Sequence, residues 1–189
     1  MPFQSKGQDD DILVCFICYD RKRKKAINEI DKVWKISEIN PFIPERVDYF
    51  RKQGSELTEK NLLFPGYVFI ETQISAIDFF TMTSRKIQRS KFMRRLLSYN
   101  NSYDYSDYSF AMREEERQTI QRICNNEFCV DMSQGFIEGN HVIITSGPLI
   151  GFESHIKKVN RHKRKAVLEI DIMGAKRDII VGLEIIQKI

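Results

Sequence analysis

The amino-acid sequence predicts an α+β protein: an α/β sandwich domain followed by a small five-stranded β-barrel. Three observations carry this expectation. Residues 12–19 form a continuous apolar run, ILVCFICY, after which Ala26, Ile27, Ile30, Val33 and Trp34 recur at helical spacing; this predicts a strand and then an amphipathic helix over 21–35. Farther on, Pro65-Gly66 turns the chain into Tyr67-Val68-Phe69-Ile70-Glu71, which alternates between two sheet faces. The third is residues 139–158, GNHVIITSGPLIGFESHIKK, where two apolar runs flank a turn framed by Gly147 and Gly151 around Pro148. Glycine admits positive φ and proline presets the first torsion of a turn, so this stretch reads as strand, sharp turn, strand.

The opening strand holds Cys15 and Cys18 at C-x-x-C spacing. Residues three apart on a strand point to opposite faces, so these thiols do not converge on one ion. Cys124 and Cys129 add no second C-x-x-C, and His141, His155 and His162 lack ligand-like spacing. No metal and no cofactor is therefore expected, and the cysteines read as reduced core residues. The following helix begins with Arg21, Lys22, Arg23, Lys24 and Lys25, where the helix dipole disfavours positive charge; Asp20, as N-cap, offsets part of this. Two readings stand: Arg21 and Arg23 serve a polyanion such as RNA, or the cluster is a solvated basic face.

In the strand after Pro65-Gly66, Val68 and Ile70 suit the core. Tyr67 and Phe69 share the other face, as a surface for a partner or as aromatics packed beneath another element. Residues 85–95 form a second basic stretch, and 98–109 read as a polar loop. Met112, Glu116, Ile120 and Ile123 recur near helical spacing with Ser109 available as a cap, so a helix closes the first domain near residue 125. The expected domains are 10–125 and 139–189, with a linker over 126–138.

Charge sharpens the functional reading. The 189 residues carry a net charge of +4, and the chain from Glu138 onward holds most of that excess. Lys157, Lys158, Arg161, His162, Lys163, Arg164 and Lys165 crowd the end of one strand, a turn and the start of the next strand, 166–172. Arginine makes bidentate contacts to phosphate or guanine, and lysine supplies less directional attraction, so the cluster suits a folded RNA whose unpaired bases are open; a solvated face is the plainer reading. No apolar run approaches the roughly 20 residues of a membrane span, and Asp9-Asp10-Asp11 does not fit a signal peptide, so a cytoplasmic protein without a membrane partner is expected. With no P-loop, paired metal motif or triad, the chain does not read as an enzyme.

Residues 139–158 resemble a KOW motif, the signature of small five-stranded barrels in ribosomal proteins and in the NusG family of transcription elongation factors. Upstream, LFPGYVFIE at 63–71 resembles the sheet strand of the NGN domain of that family. The tract GPLIGFESHIKKVNRHKRKAVLEIDIMGAKRDIIVGLEII is similar to the LoaP antiterminators, specialised NusG paralogues. The resemblance implies an NGN domain over 10–125 that docks on the RNA polymerase clamp through Tyr67 and Phe69. It also implies a loop over 78–83, with Phe80 and Thr81, that reaches the far side of the polymerase channel. The barrel and its cations would bind a nascent RNA hairpin, and the factor, a monomer, would promote readthrough of terminators. In a general NusG-type factor the barrel contacts a ribosomal protein or Rho instead. Ser154 stands where many KOW segments have glycine.

Overall fold

A computed structural model of the chain describes residues 12–18, 23–30, 32, 37–52, 54–99 and 110–188. In chain order the elements begin with β1 (Ile12–Cys18), α1 (Arg23–Glu29), β2 (Ile39–Phe42), β3 (Glu45–Lys52), β4 (Ser55–Leu62), β5 (Tyr67–Thr72), α2 (Ala76–Arg89) and β6 (Met93–Leu96). They continue with α3 (Glu114–Ile123), β7 (Cys129–Val130), β8 (Ser133–Glu138), β9 (His141–Ser146), a 3-10 turn (Glu153–His155), β10 (Ile156–Asn160), β11 (Lys165–Ile172) and β12 (Ala175–Lys188). The architecture is mixed α+β, and no described helix is long and apolar enough to cross a membrane. Two compact units result, one from the chain up to residue 43 with 64–117, the other from 44–63 with 118–189.

The first unit is built on an antiparallel sheet of order β2-β5-β1-β6. Phe69 pairs with Phe42 on one side and Cys15 on the other, while Ile70 pairs with Pro41 and Val14. Val68 and Ile70 face a core completed by Ile30, Ile39, Phe79, Ile87, Met93 and Phe110, as the alternation in 67–71 predicts. Helix α2 packs Phe79, Thr83 and Ile87 inward at spacings of four. Ser75 caps it: the Ser75 hydroxyl accepts from the Asp78 N–H at 3.3 Å and donates to the Asp78 carboxylate at 2.6 Å. Ser75→Ala is expected to destabilise this unit by about 1 kcal/mol, read as a lower urea midpoint at unchanged slope.

The loop expected over 78–83 is therefore the first half of α2. Thr81 and Thr83 satisfy their hydroxyls within the helix by donating to the carbonyls of Ile77 and Phe79, at 2.8 and 2.6 Å. Helix α1 lies within the predicted 21–35, of which residues 21–22, 31 and 33–35 fall outside the described residues. The polar loop over 98–109 is described only at 98–99.

In the second unit, β3 and β4 form a hairpin, and β7 joins β3 in parallel, for an order of β4-β3-β7. Five further strands make one sheet of order β10-β11-β12-β8-β9. Three antiparallel ladders and one parallel ladder, β12 to β8, hold it together. The sheet has five strands, but only four of them lie within the expected barrel at 139–189, and the sheet is open. Edge strands β9 and β10 share no ladder among the described residues, because the glycine-framed turn and the 3-10 turn separate them. The expected linker, 126–138, instead carries β7 and β8, and β8 sits between β12 and β9.

The turn after β9 behaves as its glycines predict. Gly147 has φ of 95°, and a Cβ there would stand 2.6 Å from the Ser133 Cα, so only glycine fits. The Ser133 hydroxyl accepts the Leu149 N–H at 3.1 Å, anchoring the turn to the start of β8. Leu149, Phe152, Ala166, Leu168, Ile170, Ile172, Ile179, Val181 and Leu183 fill the apolar side of this sheet.

Candidate nucleic-acid interface

The seven basic residues predicted to hold RNA lie on β10, the turn 161–164 and β11. The turn is closed by the Arg164 N–H donating to the Arg161 carbonyl at 3.2 Å, and by the Lys163 N–H donating to Asn160 Oδ1 at 3.0 Å. Arg164 takes a positive φ of 49°, and its own carbonyl accepts from the Leu183 N–H at 3.0 Å. A backbone position that non-glycine residues seldom adopt is thus held from both sides.

Ion pairing divides the seven into two groups. Lys165 Nζ donates to Asp48 Oδ2 at 2.7 Å, and Arg164 contacts Glu56 at 3.1 Å and Glu184 at 3.4 Å. Asp48 is 5 % exposed and also accepts from Arg46 and from Asn61 Nδ2. Burial pushes its carboxyl up, but the hydrogen bonds from Lys165 and Arg46 more than reverse this and hold it below its ordinary value of 3.8. Arg164 and Lys165 are therefore struts that fasten the β3–β4 hairpin, rather than open phosphate contacts. Lys157 meets Asp178 at 3.0 Å and Glu169 at 3.1 Å on the exposed sheet surface, and these pairs raise its pKa above the ordinary lysine value. Exposed pairs of this kind contribute little, so a phosphate competes with them readily.

Lys158, Arg161, His162 and Lys163 form the second group. All four are exposed, and among the described residues none has a side-chain hydrogen bond or ion pair. Three of them occupy the turn itself, so their charge is hydrated and projects from a rigid ribbon. Cations displayed at a ribbon tip can reach phosphate without first breaking an ion pair. Arg21 and the side chain of Arg23 fall outside the described residues.

The aromatic face predicted for the polymerase needs a correction. Phe69 is 0 % exposed, packed on Phe42 at 5.6 Å and Phe64 at 5.2 Å between ring centroids. Its face of the sheet is covered, so it is a core residue and not a surface for docking. Tyr67, half-buried, lies edge-on to Phe64 at 6.4 Å and keeps part of its ring at the surface. Phe80 is half-buried against Phe110 at 5.5 Å, and Thr81 is exposed on α2.

Two of the acids that take Arg164 and Lys165 out of the open group, Glu56 and Asp48, lie 108 and 117 residues away in sequence. No local spacing signals such pairs.

No protein-family model matches the chain. The chain is 24% identical over 155 residues to the transcription termination/antitermination protein NusG of Helicobacter pylori strain 26695, spanning 82% of this chain and 81% of that protein. To the protein of the same name in Helicobacter pylori strain J99 it is 25% identical over 170 residues, covering 88% and 90% respectively.

Proposed function

We propose that this chain is a NusG-type transcription factor specialised for antitermination, with the N-terminal domain (10–125) engaging the RNA polymerase clamp and the C-terminal domain (139–189) holding a nascent RNA hairpin. The similarity to NusG, which runs through both domains, supports the general class. The observation that carries the RNA contact is the exposed, unpaired group Lys158, Arg161, His162 and Lys163 at the tip of one ribbon. Arginine and histidine at this tip meet base edges in an unpaired loop, while the lysines meet phosphates.

Two weak contacts on one tethered chain reinforce each other. RNA held by the ribbon raises the effective concentration of the first domain near the polymerase that made it. Tyr67 is the residue of the sheet strand left to touch the clamp, with exposed Thr81 and half-buried Phe80 on α2 as further contacts. Docked there, a monomer opposes the opening of the clamp that accompanies termination, and no chemical step is required of it.

The test is a selection of RNA ligands with the intact chain, followed by salt titration of the winners. Neutralising Lys158, Arg161 and Lys163 together is expected to weaken binding about 100-fold and to flatten the dependence of log affinity on log salt by about two units. Enrichment of one hairpin class supports the specialised regulator. Sequence-blind binding, with equal loss on all RNAs, supports a solvated face and removes the hairpin from the mechanism.

A second reading has its own support, since the relatives are named for both termination and antitermination. A general elongation factor, whose C-terminal domain contacts a ribosomal protein or Rho, would occupy most transcription units. Mapping polymerase occupancy across a genome separates it from a regulator confined to a few.

A further inference from the structure

We infer that the β3–β4 hairpin supplies a stacking shelf, Phe50 with Leu57, for an unpaired base of the RNA whose phosphates the 161–163 turn holds. This inference rests on the RNA-binding reading above and adds to it a second, uncharged component.

Phe50 and Leu57 stand opposite each other in the β3–β4 ladder, and each is 41% exposed. This cross-strand apolar pair gains only a little from its own contact, and about two-fifths of each residue is left open to water. Alternation along β3 places Phe50 on the same face as Arg46 and Asp48, and Asp48 is the residue that Lys165 grips at 2.7 Å. Across the ladder, Glu56 precedes Leu57 and meets Arg164 at 3.1 Å. The two struts therefore join the residues flanking the shelf to the two residues that follow Arg161, His162 and Lys163. Phe50 lies two positions beyond Asp48, about 7 Å along the strand. Lys163 lies two positions before Lys165. Shelf and cations thus belong to one compact unit and flank the same ion pairs.

The chemistry of the pair selects its occupant. An aromatic face with an aliphatic neighbour accepts the flat face of any base, and cations beside it take the phosphates, the combination by which proteins hold single strands. Glu59, opposite Asp48 in the ladder and on the same face as Phe50 and Leu57, disfavours a phosphate over the shelf, which leaves the neutral base as the part of a nucleotide that fits there. Two side chains are also far too small an area for a protein partner, which needs about 800 Å² on each side. The same logic explains why Arg164 and Lys165 are engaged within the protein: they hold the shelf beside the tip.

The experiment measures binding of the full chain to a short fluorescein-labelled oligouridylate and to a blunt RNA duplex, each over a range of salt. Phe50→Ala is expected to weaken oligouridylate binding about tenfold at an unchanged salt slope, and to leave duplex binding and the melting temperature unaltered. Phe50→Trp restores affinity, and its added fluorescence is quenched by the oligouridylate. If Phe50→Ala binds the single strand as the parent does while neutralising Lys158, Arg161 and Lys163 abolishes binding, the shelf is refuted and the RNA reading survives. Equal loss on single strand and duplex, or a changed salt slope, also refutes stacking. If the neutralised variant binds both RNAs normally, it is the RNA reading itself that falls.

Discussion

Phe69→Ala is expected to lower the stability of the first unit by about 3–5 kcal/mol, the range for removing a large aromatic side chain from a closed core. The ring is enclosed by Phe42 and Phe64 on one sheet face, and its backbone sits between β2 and β1 in the middle of the sheet. Neighbours held by ladders on both sides cannot collapse into the void, so the cavity term adds to the lost transfer energy. A marginally stable unit has little more than this to lose. The consequence for function is direct. On the proposed reading, loss of polymerase binding in a Phe69 variant would report unfolding, whereas Tyr67→Ala removes a half-buried ring and keeps the core. Urea denaturation followed by circular dichroism separates the two: the Phe69 variant shows a large fall in midpoint and the Tyr67 variant a small one. A Phe69→Ala protein of parental stability that fails to bind polymerase would put the ring at the surface after all.

That distinction shows what the sequence could and could not disclose. Alternation in 67–71 assigns Val68 and Ile70 to one face and Tyr67 and Phe69 to the other, and both assignments hold in the structure. Alternation does not say what lies on the second face, because Phe42 belongs to a strand about 25 residues earlier and joins only through the β2–β5 ladder. The glycine-framed turn was legible because a positive φ is a local demand, met at Gly147 and Gly151. Helix α3 was legible through Glu116, Ile120 and Ile123, all buried, although it begins at Glu114, so that Met112, also buried, precedes it, and the expected cap Ser109 lies outside the described residues. Helix α2 was not, since Phe79, Phe80, Thr81 and Thr83 carry weak helix propensity, and burial of Phe79, Thr83 and Ile87 overrides it. The open sheet and the strand inside the expected linker are products of long-range pairing, in particular the parallel ladder between β8 and β12. At the candidate site, counting cations located the ribbon, but it could not divide Arg164 and Lys165 from Arg161 and Lys163. That division depends on acids brought in by the fold from residues 48, 56 and 184.

Removing the central acid gives the second large effect. Asp48→Ala is expected to destabilise the second unit by about 3 kcal/mol, because Arg46 and Lys165 lose the carboxylate that balances them in a largely buried setting. Geometry supports a cost of this size. The carboxylate accepts from Arg46, Asn61 and Lys165 together, and side-chain exposures of 12% for Arg46 and 31% for Lys165 leave water a poor substitute. Replacing Asp48 and Lys165 together by leucine and methionine should be milder than the two single losses added, since the Asp48–Lys165 pair is then removed whole and only Arg46 is left without the carboxylate. Acid titration provides an independent measurement. A carboxyl held below its ordinary 3.8 contributes stability that is complete above that value and disappears as pH falls through the lower folded value. Parental protein should therefore lose stability with a steeper slope below about pH 4 than Asp48→Asn, which has no proton to take up at that position. Parallel slopes for the two proteins would mean that Asp48 is not held in the charged form by Lys165 and Arg46. The hairpin would then be free to leave the ribbon, and with it the case for a shelf beside the cations.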